Sequence, residues 1–159
     1  MRHRATRTLT GVDTTFAATI DAPGERVYPI VADLTRYPDF LDIVSKVEPT
    51  EDGDGTAWWV TPRAKIGPFA RSKRLRMVQT AAEPGRLIRF ERAEVDGRDH
   101  STWVLEAQVA PGDDGPESSL VTMALGYGGG LWSGAIEAVL QSEAEEATER
   151  LRALAAAPV

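Results

Sequence analysis

The amino-acid sequence predicts an α+β domain in which a seven-stranded antiparallel curved sheet wraps around a long C-terminal helix, with two short helices after the first strand. Apolar residues alternate with a period of two through most of the first four-fifths of the chain, which is typical of half-buried strands. The last part instead carries one apolar stripe at helical spacing. With 159 residues, 42% of them hydrophobic, the chain fits one domain over residues 11–159, after a flexible tail of residues 1–10.

The first strand and the two short helices come from residues 14–42. Phe16, Ala18 and Ile20 share one face of the segment TTFAATID. The segment APGERVYPIVADL then predicts a helix that starts near Pro23, because proline is favoured at the first helical position. The segment TRYPDFLD predicts a second short helix with Thr35 as its N-cap.

Six further strands follow, separated by glycine, proline and acidic turn residues. The dipeptide Asp96-Gly97 is a strong hairpin signal, and the segment PGDDGPES predicts a loop before the last strand. Successive hairpins imply antiparallel pairing. The predicted strands cover residues 43–49, 57–66, 69–81, 87–95, 101–110 and 119–127.

The C-terminal segment predicts one helix of about 24 residues, ~36 Å long at 1.5 Å per residue. Its apolar stripe needs a large apolar partner, and the inner face of the sheet is the available one. The stripe consists of Ile136, Val139, Leu140, Ala144, Ala147, Leu151 and Leu154.

Composition excludes several function classes. A net charge of -6 opposes binding to nucleic acid and to anionic membranes, so neither partner is expected. The absence of cysteine excludes disulfides, thiol catalysis and thiolate metal sites. No apolar run reaches 18 residues, and the basic N-terminus has no apolar stretch behind it, so we expect a cytoplasmic protein without membrane insertion.

The segment IDAPGERVYPIVADLTRYPDFLDIVSKVE, residues 20–48, resembles the SRPBCC superfamily, in particular its polyketide cyclase/dehydrase and coenzyme Q-binding branch. STWVLEAQV, residues 101–109, is similar to the tryptophan-containing sixth strand of that branch. The resemblance spans roughly residues 12–156 and implies the helix-grip fold of START lipid-transfer domains and birch-pollen-type allergens. It also implies an apolar ligand cavity between the sheet and the long helix.

Strand parity predicts which side chains line that cavity, although ordinary core packing would place the same residues inward. Tyr28 and Tyr37 on the short helices, and Tyr127 and Trp132 near the glycine-rich entry to the last helix, are further candidates. The predicted ligand-binding residues are Tyr28, Tyr37, Trp58, Val60, Arg71, Leu75, Met77, Ile88, Phe90, Trp103, Leu105, Met123, Tyr127, Trp132, Ile136 and Leu140. Parity also turns Val121 and Leu125 inward.

Charged residues also fall on the inward phase. Arg71 and Lys73 share the phase of Leu75, and Arg92 shares that of Phe90. A buried cation needs a partner, which Glu94 could supply to Arg92. Either arginine could instead reach solvent near a strand end, or anchor an acidic or carbonyl-bearing ligand.

Catalytic candidates are few: Tyr37, Arg71 and Arg92. Tyr37 either wedges the second short helix against the sheet or turns its hydroxyl into the cavity as a weak general acid. His100, beside the Asp96-Gly97 turn, has no second histidine nearby, so neither a metal site nor a cofactor is predicted.

The sequence therefore predicts binding or transport of a small hydrophobic molecule such as a lipid, an isoprenoid quinone or a polyketide. A polyketide aromatase/cyclase and a protein-interaction module remain alternatives, and a homodimer is possible. An enzyme requires ionisable groups that converge in the cavity, whereas an interaction module requires a contiguous exposed apolar patch.

Overall fold

The structure, a computed structural model, describes residues 12–50, 57–63, 74–127 and 133–157, with the backbone alone for residues 12–14, 127 and 133–140. The strands are β1 (Val12–Ile20), β2 (Val44–Pro49), β3 (Ala57–Pro62), β4 (Leu75–Glu83), β5 (Leu87–Arg92), β6 (Trp103–Gly112) and β7 (Gly115–Tyr127). The helices are α1 (Gly24–Val31), a 3₁₀ helix (Leu34–Asp39) and α2 (Ser133–Ala156). This is the predicted helix-grip architecture.

Within the described residues, the seven strands form one antiparallel sheet in the order β1-β7-β6-β5-β4-β3-β2. The first strand pairs with the last, with Phe16 opposite Met123. The second strand lies at the other edge, so α1 and the 3₁₀ helix carry the chain across the sheet from one edge to the other. This crossing explains why two short helices interrupt a sequence that is otherwise dominated by strands.

The first short helix begins after Pro23, as predicted, and buries Val27, Ile30 and Val31. The second differs from the prediction at its start. Asp33, rather than Thr35, is the N-cap, and its carboxylate accepts hydrogen bonds from both the backbone N–H and the hydroxyl of Thr35. A carboxylate can take both donors at once, which makes the aspartate the stronger cap.

Two connections also differ from the sequence prediction. The Asp96-Gly97 pair does not form a two-residue hairpin: Gly97 has a φ of 73°, but it lies inside the long link between β5 and β6. Conversely, the predicted loop of residues 111–118 is mostly strand, because only Asp113 and Asp114 separate β6 from β7. Turn residues therefore marked the positions of the connections but not their lengths.

The C-terminal half of α2 packs on β1 and α1. Ala147, Leu151 and Ala155 are buried in the core. Arg152 donates to the carbonyl of Thr19 with Nε and Nη2, at 3.2 and 3.1 Å. The predicted 24-residue helix and the inward placement of its C-terminal stripe are confirmed.

The core lies on the concave face of the sheet. The apolar residues of β3 to β7 that parity turns inward belong to the core or pack against its edge, and these are Trp58, Val60, Leu75, Met77, Ile88, Phe90, Trp103, Leu105, Val121, Met123 and Leu125. Parity succeeds here because paired residues in an antiparallel sheet share a face. The bulge in β4 between Gln79 and Ala81 lies beyond the inward-facing residues of that strand.

Candidate functional site

An apolar cavity of about 70 Å³ lies against the concave face of the sheet. The sheet contributes most of its wall, and the 3₁₀ helix and the segment that follows it contribute the rest. The described residues that line it are Phe16, Leu34, Leu41, Ile43, Val44, Val60, Pro62, Leu75, Met77, Trp103, Leu105, Met123, Ala124 and Leu125. Because this lining carries no ionisable side chain among the described residues, it suits hydrocarbon rather than a charged group.

The cavity wall is only partly buried on one side. Phe16, Leu105 and Leu125 on the sheet, with Ile43 and Val44 opposite, keep part of their surface exposed. Interior apolar side chains normally lose almost all of their exposed surface, so exposed apolar walls around a hollow are typical of a ligand site.

The segment 41–44, which we call the cavity strap, closes the cavity beside the 3₁₀ helix. Arg63, which directly follows β3, fixes it, because its backbone N–H donates to Ile43 O and its Nε to Asp42 O, both at 2.8 Å. Arg150 on α2 donates from Nη1 to Asp42 Oδ1 at 2.6 Å. Two elements therefore hold the strap through polar contacts, while its apolar side chains face the cavity.

Glu143 on α2 lies against the same strap. Burial of its carboxyl raises the pKa of Glu143, and the nearby Asp42 raises it further. The backbone N–H of Ile43 donates to the carboxylate and opposes the increase in pKa. Its Oε2 is buried with no hydrogen-bond partner among the described residues, so the ionised form is poorly compensated there.

Six of the predicted ligand-binding residues line this cavity: Val60, Leu75, Met77, Trp103, Leu105 and Met123. Trp58, Ile88 and Phe90 are instead core residues outside the lining. Phe90 packs edge-on against Trp58 and Tyr37, with ring centroids 5.5 and 6.3 Å apart. Whether any of these residues contacts a ligand stays a prediction.

The two tyrosines do not turn their hydroxyls to the cavity. Tyr37 is fully buried and donates from its hydroxyl to Val31 O at 2.7 Å. Tyr28 donates to Leu87 O at 3.0 Å. Burial raises the pKa of Tyr37, and the charge of Asp33 raises it further. In this arrangement the Tyr37 hydroxyl donates to a backbone carbonyl, and a role for Tyr37 as a general acid stays a prediction.

Several predicted positions lie outside the described residues. Arg71 and Trp132 are among them, as is Lys73. For Tyr127, Ile136 and Leu140, only the backbone is described. The sequence reasoning also missed wall residues that are now visible. Parity had already turned Phe16 and Leu125 inward, but it cannot place both Ile43 and Val44 on the same side, because neighbouring strand residues face opposite sides.

A second, polar pocket of about 230 Å³ adjoins the first at the β5–β6 end of the sheet. Arg92 lies in it and pairs with Glu94, as predicted, with 3.0 Å between Nε and Oε1. Their side chains are only 11% and 9% exposed. Arg92 also lies opposite Met77 in the β4–β5 register, so it points toward the concave face.

His100 bridges Arg92 and the turn. Its Nδ1 lies 3.2 Å from Arg92 Nη2, and its Nε2 lies 2.9 Å from the carboxylate of Asp96. Because arginine can only donate, Nδ1 must accept, and the proton then sits on Nε2 and is donated to Asp96. This hydrogen bond lowers the pKa of Asp96. The four side chains form one continuous network from Asp96 to Glu94.

The chain matches the profile of a known protein family. The profile of the family described as "Polyketide cyclase / dehydrase and lipid transport" matches residues 11–156. None of the curated proteins compared with the chain matches it significantly. Among the described residues, no helix has the length and apolar character needed to cross a membrane.

Solved structures share the fold at low sequence identity. Protein DR_A0006 from Deinococcus radiodurans is 20% identical, with a TM-score of 0.66 over 89% of this chain and 98% of its own. A START superfamily protein from Mycobacterium smegmatis is 15% identical, with a TM-score of 0.64 over 90% and 96%. The ZhuI aromatase/cyclase from Streptomyces sp. R1128 is 17% identical, with a TM-score of 0.59 over 91% and 93%.

Proposed function

The chain belongs to the polyketide cyclase / dehydrase and lipid transport family, and we propose that it binds a small, mostly apolar molecule in the cavity between the sheet, the 3₁₀ helix and the cavity strap. The single observation that carries this proposal is the lining, in which the described side chains are aliphatic or aromatic. Binding would remove the exposed parts of these walls from water, which is favourable by about 25 cal/mol per Å².

The size of the cavity constrains how binding occurs. A hollow of about 70 Å³ is smaller than the ~150 Å³ cavity that accommodates benzene. A lipid, quinone or polyketide therefore enters only if a wall moves outward. The cavity strap is the best candidate for that wall, because its link to α2 is an exposed ion pair between Arg150 and Asp42, and such pairs contribute little to stability.

Binding is favoured over cyclisation by the chemistry of the described lining. A cyclase needs a proton donor or acceptor within hydrogen-bond reach of the substrate. The hydroxyl of Tyr37 is used by Val31 O, and the described lining residues offer no other ionisable group. An interaction module is less well supported, since the large exposed apolar side chains among the described residues are Val95 and Leu120, which lie on separate elements.

The test combines native mass spectrometry with a blocked cavity. Freshly purified protein should carry an adduct that organic extraction identifies as an apolar molecule. Leu105→Trp should abolish the adduct because the larger ring fills the hollow. Leu120→Trp is the matched control, since Leu120 is 40% exposed on β7 and does not line the cavity. Protein that neither carries an adduct nor binds added fatty acids, quinones or polycyclic aromatics would refute the proposal.

A further inference from the structure

The polar pocket beside Arg92 shares a wall with the apolar cavity. Trp103 lines both, and Met77, which lines the cavity, lies directly opposite Arg92 in the sheet register. A molecule with an apolar body in the cavity could therefore place one end in the polar pocket without leaving the concave face.

Arg92 has hydrogen-bonding capacity left over. Its guanidinium has five N–H groups. Nε donates to Glu94, Nη2 contacts His100, and Nη1 donates to Ser101 O at a long 3.4 Å. Two N–H groups thus have no acceptor among the described residues, although the side chain is only 11% exposed. An oxygen atom of a ligand in the pocket could accept from these N–H groups, and a hydrogen bond from a charged donor is stronger than one between neutral groups.

The charge of the pocket restricts that oxygen. Arg92 is already paired with Glu94. The other charged residues that line the pocket are one cation, Arg98, and two anions, Asp99 and Glu91. Arg89 binds Glu91 from outside, with 3.4 Å between Nε and Oε2. The described residues of the pocket therefore carry no net positive charge. A carboxylate or phosphate placed beside Glu94 would be buried near a like charge, which is unfavourable.

A cationic head fits no better, because the unused groups of Arg92 are donors. Glu94 Oε1 already accepts from Arg92 Nε and from the backbone N–H of Arg76. The pocket therefore offers the N–H donors of Arg92 beside the carboxylate of Glu94, which already accepts two hydrogen bonds. This combination suits an uncharged oxygen better than an ion of either sign.

We propose that this polar pocket binds the head of the cavity ligand, and that the head is uncharged and carries a carbonyl or hydroxyl oxygen that accepts from Arg92. The inference rests on the proposed binding function and narrows it to a neutral oxygenated amphiphile. It excludes fatty acids and alkylamines as preferred ligands.

Three nine-carbon probes with different heads test the inference: 2-nonanone, nonanoate and nonylammonium, titrated by calorimetry at pH 7. We expect 2-nonanone to bind about tenfold more tightly than either ion, which corresponds to one good hydrogen bond to a charged donor. Leu105→Trp should abolish binding of all three probes, because each needs the apolar cavity.

Two variants assign the preference to Arg92. The double variant Arg92→Met/Glu94→Met replaces the buried pair by apolar side chains of similar volume, a change that proteins often tolerate. It should remove the preference for 2-nonanone. Glu94→Gln leaves the Arg92 charge without its carboxylate, so nonanoate should then bind more tightly than 2-nonanone. Arg86→Gln, at an exposed position that lines neither pocket, should change the affinity for 2-nonanone less than twofold.

The outcomes separate this inference from the proposed function. If the wild-type protein binds all three probes within twofold and the Arg92 variants change nothing, the head pocket is refuted and the cavity proposal stands. If the wild-type protein binds none of them, and no other apolar molecule either, both proposals fail. Urea unfolding of each variant shows whether it is folded, and Glu94→Gln tests the inference separately if the double variant does not fold.

Discussion

Arg150 on α2 and Asp42 in the cavity strap are joined by a hydrogen bond of 2.6 Å between Nη1 and Oδ1. Arg150 also contacts Glu146 one helical turn earlier. The neighbours of Asp42 in the strap, Leu41 and Ile43, line the apolar cavity. One ion pair therefore ties the long helix to the wall that a ligand must displace.

Arg150→Gln should loosen the strap without unfolding the protein. The side chains of Arg150 and Asp42 are 35% and 41% exposed, and exposed pairs contribute little to global stability. Hydrogen–deuterium exchange at residues 41–44 should therefore become faster, while the urea midpoint changes little. Arg152→Gln is the control, because Arg152 donates to Thr19 O on β1 instead. Unchanged exchange at residues 41–44 would contradict the role given to this pair.

Glu143→Gln should stabilise the protein at neutral pH. Because burial raises the pKa of Glu143 in the folded state, the folded protein holds a proton there that the unfolded chain releases. Stability therefore falls as pH rises from the ordinary glutamate pKa, about 4.3, through the higher folded value. Glutamine does not ionise, so Glu143→Gln does not lose stability over this pH range.

The measurement is the free energy of unfolding in urea at several pH values between 4 and 8. The difference between Glu143→Gln and wild type should be largest at the neutral end and should shrink toward pH 4. Glu145→Gln, at an exposed position two residues along α2, should show no such trend. A difference that stays constant with pH would mean that ionisation of Glu143 does not destabilise the fold.

Tyr37→Phe should lower the free energy of unfolding by about 1–3 kcal/mol, because it leaves the Val31 carbonyl without its buried donor. Tyr28→Phe should have a smaller effect, since Tyr28 is only half-buried. Ligand affinity should be the same in Tyr37→Phe and wild type, because the hydroxyl does not reach the cavity. Loss of ligand binding with unchanged stability would contradict this prediction and would mean that the hydroxyl contacts the ligand.

The fold was largely predictable because its signals are periodic. Alternation along each strand predicted the inward face correctly, including Met77 and Met123. Helical spacing predicted a C-terminal helix of about 24 residues, which is the observed length of α2. The connections were less predictable. Asp96-Gly97 favours a tight hairpin locally, yet the neighbouring segment makes its own contacts, including those of His100 with Asp96 and Arg92, and these fit a longer link.

The candidate site was predictable where strands build it and not where loops do. Val60 and Leu105 could be nominated from parity alone. Ile43 and Val44 could not both be nominated, because neighbouring residues of a strand face opposite sides, yet both line the cavity where β2 begins. The hydroxyl of Tyr37 was ambiguous, since its acceptor is a backbone carbonyl six residues away and no side-chain pattern encodes it.

Gly112 and Ser118 face each other where β6 turns into β7, and they support one last prediction. A Cβ added at Gly112 would overlap the Oγ of Ser118, which is buried without a hydrogen-bond partner among the described residues. Gly112→Ala should therefore destabilise the protein by about 1–3 kcal/mol through overpacking. Ser118→Ala alone should be nearly neutral, because the hydroxyl it removes is unsatisfied.

The double variant Gly112→Ala/Ser118→Ala tests this explanation. With Oγ gone, the nearest remaining Ser118 atoms, the carbonyl carbon and Cβ, lie 3.1 Å from the added Cβ, a tight contact that small shifts can relieve. The double variant should therefore recover most of the stability that Gly112→Ala loses, which urea unfolding of all four proteins measures as a coupling energy. A double variant as unstable as Gly112→Ala would mean that the backbone of the β6–β7 hairpin, and not the serine hydroxyl, requires glycine at this position.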